Sequence, residues 1–546
     1  MRKLKYYNIS LPVMMFLVLL IISCTKNFEK INTNPTGTTD EQIKADYQNV
    51  IQPVINIQRA IVQRVNWEYQ LQQNLNADIY SGYMMTPTPF NGNSNNSNYY
   101  MMDGWNGQIL NIYYDQLMPE VSSYNRRKSE YPGAEFGDVD GMVRVLRAIF
   151  VHRTSDIFGP IIFSKIAQVN ADLSVPYDSQ QEVYNNLFKE LDTAYTMLQP
   201  YAAGTKPVGT VFKNSDLIYQ GNALSWMKLI NTLRLRLALR IVYADATKSK
   251  TEGEKALAAA EGLINDNGSN AFVNYGISHP IYEIINGWSD TRSGAPLGAY
   301  LNGYNDKRIE FYMTKATDAA VEGQYIGIRN GVDIDAKARY SGYSRPKATS
   351  ASGDYFSNRT GKAKISTSSE AFFLKAEAAL RGWAGAGNVQ ENYENGIAMS
   401  FDEWGAGSAA SYINDDTSKP KPYIDPKAKV AGQNDVLAGN PNLSTITIKW
   451  DAAAPMETNL ERIITQKWIA LYPDGQEAWT EFRRTKYPKL FPVVINNSNG
   501  VITGFIKRLP IPTAFRDNNK PEYDKAVLTL GGPDNGNTKL WWDKKP

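Results

Sequence analysis

The residue types that most often perform catalysis are scarce in this chain. Its 546 residues include two histidines, His152 and His279, and a single cysteine, Cys24. A metal centre or a base-activated nucleophile needs several such groups at set spacings, and no spacing pairs either histidine with the other or with the thiol. We expect His152, in an amphipathic helical pattern, to be structural, and His279, next to Pro280, to lie at the surface of a loop. The sequence therefore predicts a protein that is not an enzyme.

One enzymatic alternative stays open at this point. A glycoside hydrolase needs only two carboxylates roughly 5 to 10 Å apart, and spacing alone does not exclude such a pair among 55 Asp and Glu residues. The segment GQEAWTEFRRTKYP places Glu477 and Trp479 near Arg483 and Arg484. Helix-borne carboxylates beside guanidinium groups commonly join neighbouring helices through paired hydrogen bonds, so we interpret this segment as structural.

Two stretches combine the residue types that bind sugars. Flat sugar faces stack on Trp or Tyr rings, while Asn, Asp and Arg form hydrogen bonds with hydroxyl groups. SGYMMTPTPFNGNSNNSNYYMMDGW, residues 81–105, and NGWSDTRSGAPLGAYLNGYNDKR, residues 286–308, supply this mixture. Trp288 is the preferred stacking platform, whereas packing at the start of a core helix is the favoured interpretation of Tyr99. The candidate ligand-binding residues are Tyr83, Asn95, Tyr99, Trp105, Trp288, Asp290, Arg292, Tyr300 and Tyr304, extended by Tyr340 and Tyr343.

The asparagine-rich run 91–98 is more typical of turns than of a calcium-binding loop. We therefore expect no cofactor, and no motif supports a structural calcium ion.

The N-terminus predicts export and lipidation. A cationic start, an apolar run over 11–22 and a small Ser23 precede Cys24. This order is typical of a secretory signal, and the run is shorter than the about 20 residues that cross a bilayer. A lone cysteine cannot form a disulfide within the chain, so we predict that residues 1–23 are removed and that Cys24 carries acyl chains, of which two or more give stable attachment.

The charge balance argues against nucleic acid as a partner. Removal of the leader takes away three basic and no acidic residues, which leaves 55 Lys and Arg against 55 Asp and Glu. Nucleic-acid-binding proteins show a basic excess or a basic stripe. We therefore expect no nucleic-acid partner.

Apolar residues at helical spacing predict the elements that position the two stretches. One helix passes through Met142 and Ile149, a second begins with a cap at Asp178 and ends at Pro200, and a third covers 223–243. In the third helix, Arg234 and Arg240 are expected to face solvent.

Three further segments predict helices that pack as antiparallel pairs. Thr367–Arg381 begins with a capping box and stops at Gly382, and 388–402 and Asn459–Leu471 follow. The small side chains at Ala376, Ala379 and Gly396 would allow close packing. Long irregular stretches are expected at 84–98, 275–362 and 403–445, and loops of this length are usually functional.

The segments that carry a family resemblance are spread over nearly the whole chain. They are FEKINTNPTGTT, AIFVHRTSDIFGPIIFSKI, PYDSQQEVYNNLFKELDTA, DLIYQGNALSWMKLINTLRLRLALRI, EAFFLKAEAALRGW, ERIITQKWIALYPDGQEAWTEFRRTKYP and IKRLPIP. Together and in this order they resemble the SusD/RagB family of outer-membrane nutrient-binding lipoproteins, in its SusD-like branch. Gly159-Pro160 departs from the family's usual Gly-Asp-hydrophobic-Pro order, which puts the local turn in doubt.

The resemblance implies a mainly α fold of tetratricopeptide-like helix pairs with long irregular loop insertions. It implies a lipidated tether over 24–40 and one ligand-binding domain over 41–546. It also implies a lipid-anchored outer-membrane protein, facing the cell exterior, that binds oligosaccharides and delivers them to a SusC-like TonB-dependent transporter as its lid. Peptide ligands in the same role are the alternative, and a passive repeat scaffold for protein contacts is a lesser one.

Overall fold

The computed structural model describes residues 40–350 and 355–546. Cys24, the predicted signal peptide and residues 24–39 of the predicted tether lie outside the described residues. The chain divides into a unit that ends at Val50 and a compact unit Ile51–Pro546. The described residues of the first unit form helix α1, Asp40–Ala45, and the start of α2, Gln48–Ile61.

The larger unit is mostly helical. After α2, its α-helices are α3 Asn66–Tyr69, α4 Ala77–Tyr80, α5 Asp103–Asn111, α6 Met118–Lys128, α7 Gly137–Phe158, α8 Gln180–Ala202, α9 Thr210–Ser215, α10 Ala223–Arg240, α11 Ala246–Leu257, α12 Pro280–Asn286, α13 Ala295–Gly303, α14 Ile309–Tyr312, α15 Ser368–Leu380, α16 Val389–Glu403, α17 Ala410–Ile413, α18 Met456–Leu471, α19 Gly475–Thr485, α20 Thr513–Asp517 and α21 Lys520–Leu528.

In residues 40–350 and 355–546, four short strands form two antiparallel pairs. They are β1 Met84–Met85, β2 Ala271–Asn274, β3 Arg292–Ser293 and β4 Lys362–Ser366. β1 pairs with β3, with Met84 opposite Ser293, and β2 pairs with β4. The first pair joins the two stretches that the sequence marked as ligand loops. Single-turn π-helices occupy Gln70–Asn74 and Ile112–Leu117, and 3-10 turns occupy Phe90–Asn93, Asn96–Asn98, Asn267–Ser269 and Lys337–Arg339.

Helix pairing follows the caps that the sequence shows. The Thr367 side chain accepts from the Glu370 amide at the start of α15, and Gly382 ends that helix at a φ of +71°. α15 packs on α16, and a Cβ atom at Gly396 would lie 2.8 Å from the Phe373 ring. The predicted close contact is therefore confirmed. α7 packs on α8, α8 on α10, and α10 on α11.

Some predicted boundaries differ from the structure. The cap of α8 is Ser179, which bonds reciprocally with Glu182, whereas Asp178 accepts from the Phe163 and Ser164 amides. Pro200 lies inside the last turn of α8, which ends at Ala202, and α10 ends at Arg240 rather than at 243. The stretch 275–362 is also less irregular than predicted, because it contains α12, α13, α14 and β3.

Arg234 and Arg240 are buried, so the prediction that they face solvent is wrong. Arg240 Nη1 lies 3.1 Å from Asp156 Oδ2, and its other terminal nitrogen contacts Glu477. We call the buried charges that join α7, α10, α15, α18 and α19 the ionic cluster. Its members are Asp156, Arg236, Arg240, Glu370, Glu377, Lys467, Glu477, Glu481 and Arg484.

The segment around α19 is structural, as predicted. Arg484 Nη2 lies 2.6 Å from Glu377 Oε2 and 2.7 Å from Glu481 Oε2. Burial alone would raise the pKa of Glu377, but the guanidinium groups of Arg484 and Arg381 hold it at about 2. The Arg483 guanidinium stacks 3.6 Å from the Trp479 ring centre. These side chains are therefore occupied with one another inside the helix packing.

Both histidines are buried. His152 Nδ1 lies 3.3 Å from Asp156 Oδ2, and its structural role is confirmed. His279 is buried as well, which corrects its predicted surface position. Its Nδ1 accepts from the Ile281 amide and so caps α12, and burial lowers the pKa of the ring to about 3.

Candidate ligand-binding site

Trp288 is held in a turn that folds back on α12. The amides of Gly287 and Trp288 both donate to the Glu283 carbonyl at 2.8 Å, and the Asp290 amide donates to the Ile284 carbonyl at 2.9 Å. Between them, Ser289 takes a φ of +57°, a backbone conformation that non-glycine residues rarely adopt. The Trp288 ring is half-buried and keeps part of its surface open to solvent. The turn therefore presents an aromatic ring from a fixed backbone.

Arg292 braces this turn from the inside. Its guanidinium donates to the Ser341 carbonyl at 2.6 Å, to the Thr291 carbonyl at 2.7 Å and to Ser289 Oγ at 2.9 Å. Burial, reinforced by the nearby Arg345, lowers the pKa of Arg292 to about 10. Because its side chain is buried, Arg292 positions the turn and does not offer its donors to a ligand, which corrects its predicted role.

Asp290 joins the turn to two other segments. Its Oδ1 accepts from Thr88 Oγ1 and from Lys337 Nζ, each at 2.5 Å. Lys337 Nζ also donates to the Trp288 carbonyl at 2.6 Å. We call Thr88, Trp288, Asp290 and Lys337 the Trp288 site. The turn that carries the half-buried Trp288 is thus joined to a hydroxyl, a carboxylate and an ammonium group.

The loop before α5 extends the rim of this site. Asn91, Gly92 and Asn93 take three successive positive φ angles, and Asn93 Nδ2 donates to the Ile334 carbonyl at 2.6 Å. The edge of Phe90 meets the half-buried Trp105, with ring centres 5.5 Å apart. Trp105, a candidate from the sequence, therefore contacts a residue that follows Thr88 of the Trp288 site by two positions.

The other predicted site residues are buried and occupied. The Tyr83 hydroxyl donates to the Trp468 carbonyl, Tyr300 to Lys489 and Tyr304 to Ile446. Tyr340 and Tyr343 both donate to Asp425, at 2.7 and 2.6 Å. Tyr99 packs against Tyr80, and Asn95 uses its amide to cap the turn Asn96–Asn98. The structure therefore removes seven predicted contacts from the site: Tyr83, Asn95, Tyr99, Tyr300, Tyr304, Tyr340 and Tyr343.

Thr88 and Lys337 are site residues that the sequence reasoning missed. Thr88 lay inside the first predicted stretch but was not singled out, and Lys337 had no distinguishing pattern around it. Within residues 40–350 and 355–546, no group of three or more His, Cys, Asp or Glu side chains is arranged to hold a metal ion. The groups of the Trp288 site are suited to stacking against the flat face of a ligand and to forming hydrogen bonds with it.

A family model described as Susd and RagB outer membrane lipoprotein matches residues 30–543. The chain belongs to the SusD-like family. It is similar to a chitin-binding SusD homologue of Flavobacterium johnsoniae, with 38% identity and a TM-score of 0.83 over 90% of this chain and 98% of that one. A SusD homologue of Bacteroides vulgatus is 34% identical, with a TM-score of 0.82 over 91% and 98%. A search of curated protein sequences found no match.

Family membership confirms several predictions. The fold is the helical, tetratricopeptide-like SusD fold, and the protein is an outer-membrane lipoprotein. SusD-like proteins bind carbohydrate without catalysis, so this protein is not an enzyme and the glycoside hydrolase alternative is excluded. No helix in the described part of the chain is long and apolar enough to cross a membrane.

Proposed function

We propose that this protein binds oligosaccharides at the Trp288 site and delivers them to a SusC-like TonB-dependent transporter, for which it acts as a lid on the exterior face of the outer membrane. The observation that carries the proposal is the turn of the partly exposed Trp288, which hydrogen bonds join to Asp290, Lys337 and Thr88. This is the combination that a sugar requires, because one ring face is apolar and the hydroxyl groups at its edge are polar.

An oligomer of N-acetylglucosamine is the first ligand to test. The similar homologue of Flavobacterium johnsoniae is described as chitin-binding. An acetamido group adds a donor and an acceptor to each sugar unit, and the Asp290 and Lys337 pair offers one of each. Short N-acetylglucosamine oligomers should therefore bind more tightly than glucose oligomers of equal length.

A tryptophan substitution tests the site. We expect Trp288→Ala to weaken binding of an N-acetylglucosamine hexamer at least tenfold, about 1.4 kcal/mol, because the stacking surface is lost. Isothermal titration calorimetry on the lipoprotein in detergent would measure the dissociation constant. Trp67→Ala is the matched control, since Trp67 is 50% exposed and lies outside the site.

Two results would count against this proposal. If Trp288→Ala and the parent bound every oligosaccharide with equal affinity, the Trp288 site would not be the binding site. Binding of peptides, with no binding of any oligosaccharide, would instead favour the peptide alternative.

A further inference from the structure

A second cleft lies along α13, apart from the Trp288 site. We call it the α13 cleft. It has a volume of about 430 Å³ and is lined by Gly298 and Ala299 of α13, by Lys315 and Tyr325, and by Lys421 and Ile424. Ligand sites for small molecules span roughly 300 to 1,000 Å³. The cleft is therefore large enough for one or two sugar units.

Both walls of the cleft are fixed to α13. Asn302 Nδ2 donates to the Tyr325 carbonyl at 2.7 Å, which secures one wall. The Lys421 amide donates to the Ala299 carbonyl at 3.0 Å, which secures the other. The buried Tyr423 hydroxyl then joins the two walls through the Gly327 carbonyl at 3.0 Å. The cleft is thus formed before a ligand arrives, and little ordering cost opposes binding.

The rim of the cleft is positively charged. Lys315 and Lys421 are exposed, and in the described part of the chain neither ammonium group forms an ion pair. Lys315 Nζ lies 5.9 Å from the centre of the Tyr325 ring. An acidic group acts on the cleft, because burial and, after it, the Glu310 carboxylate raise the pKa of Tyr325. Asp425, which follows Ile424 in the chain, is buried and engaged by Tyr340 and Tyr343.

The floor of the cleft suits a ring rather than an inorganic ion. Gly298 and Ala299 have small side chains or none, and Tyr325 and Ile424 supply apolar surface. A sulfate or phosphate ion would occupy a small part of about 430 Å³ and would leave that apolar surface wet. A sugar ring that bears a carboxylate can cover Tyr325 and place its charge between the lysines.

We propose that the α13 cleft is a second carbohydrate site that takes an acidic sugar unit of the uronate type. The carboxylate would pair with Lys315 and Lys421, and the sugar ring would lie over Tyr325. Ala295 of the cleft lies five positions after Asp290 of the Trp288 site, which limits the distance between their backbones to about 18 Å. The second site does not depend on which ligand the Trp288 site binds.

Calorimetry with a galacturonic acid tetramer at low ionic strength tests the proposal. We expect the variant Lys315→Ala with Lys421→Ala to bind at least tenfold more weakly, and Ala299→Leu, which fills the floor, to do the same. The control variant Lys250→Ala with Lys520→Ala removes the same charge elsewhere and should keep the parent's affinity. Trp288→Ala should also keep it, which separates this site from the Trp288 site.

Four outcomes would overturn the proposal. They are the absence of saturable binding, an equal loss in the control lysine variant, displacement of the tetramer by sulfate at an equal concentration, and an equal affinity for the neutral galactose tetramer. If acidic binding fails while Trp288→Ala still weakens the N-acetylglucosamine hexamer, the second site is wrong and the proposed function stands.

Discussion

Asp78 is a fully buried carboxylate whose hydrogen bonds come from uncharged groups. It accepts from Gln73 Nε2 at 2.9 Å, and more weakly from Tyr69 and Asn74. Burial raises the pKa of Asp78 from 3.8 to about 7, although these donors oppose the change. In the ionic cluster, by contrast, guanidinium groups hold the pKa of Glu377 at about 2. The same degree of burial thus has opposite results, depending on whether a cation is adjacent.

The raised pKa of Asp78 predicts a loss of stability as pH rises. Between about pH 4 and pH 7 the folded state keeps the proton on Asp78 and the unfolded state releases it. The contribution of Asp78 to the free energy of unfolding is therefore complete below about pH 4, falls by about 1.4 kcal/mol per pH unit and is lost by about pH 7. Asp78→Asn cannot ionise, and we expect it to gain about 4 kcal/mol relative to the parent over that range. Urea unfolding at both pH values measures the difference. The exposed control Asp524→Asn should show no such gain, and a parallel pH dependence of Asp78→Asn and the parent would contradict this account.

Individual aromatic residues show where sequence reasoning reaches its limit. The sequence placed Trp288 in a loop and singled out two stretches, which β1 and β3 bring together. The sequence did not show that Trp288 is partly exposed whereas Tyr300 and Tyr340 are buried. A tyrosine can be buried wherever its hydroxyl finds a hydrogen-bond partner, and the sequence does not reveal that partner. Those partners, the carbonyl of Lys489 and the carboxylate of Asp425, are 189 and 85 residues away along the chain.

At the scale of helices, the α15 and α16 contact predicts a penalty for the smallest added side chain. Gly396→Ala should favour the helix by propensity, but its Cβ would lie 2.8 Å from the Phe373 ring. We expect the clash to prevail and to lower the free energy of unfolding by about 1 to 3 kcal/mol.

Gly104→Ala in α5 is the matched control, because nothing lies within 4 Å of its Cβ position. It should be neutral or slightly stabilising in the same denaturation experiment. If both alanine variants had the same free energy of unfolding, the close contact between α15 and α16 would not contribute to stability.

The positions of the helices could be predicted from this sequence. Which side chains of a helix face solvent was harder to predict. Thr367 and Gly382 are local signals, and they mark the ends of α15 correctly. Arg240 looked like a residue for the wet face because its partners are remote, at Asp156 and Glu477. A buried guanidinium is tolerated only when such partners are in place, and periodicity within one helix cannot reveal them.

At the scale of the whole molecule, the proposed lipid anchor and the proposed transporter partner predict how the protein fractionates and what purifies with it. We expect the parent protein to sediment with outer membranes and to co-purify with a TonB-dependent transporter. Cys24→Ser removes the thiol that we predict to be acylated and should release the protein into the soluble fraction, because acyl chains provide the membrane attachment. Fractionation followed by mass spectrometry of the purified material measures both properties. Unchanged membrane recovery of Cys24→Ser would contradict lipidation, and the absence of a transporter from the parent's eluate would contradict the lid role.

The brace under Trp288 has a consequence for the environments in which the protein can work. Arg292 holds the turn through carbonyl and hydroxyl oxygens, and such oxygens neither gain nor lose protons in ordinary acidity. A more acidic medium would leave these bonds in place. The turn that carries Trp288 would therefore keep its conformation there.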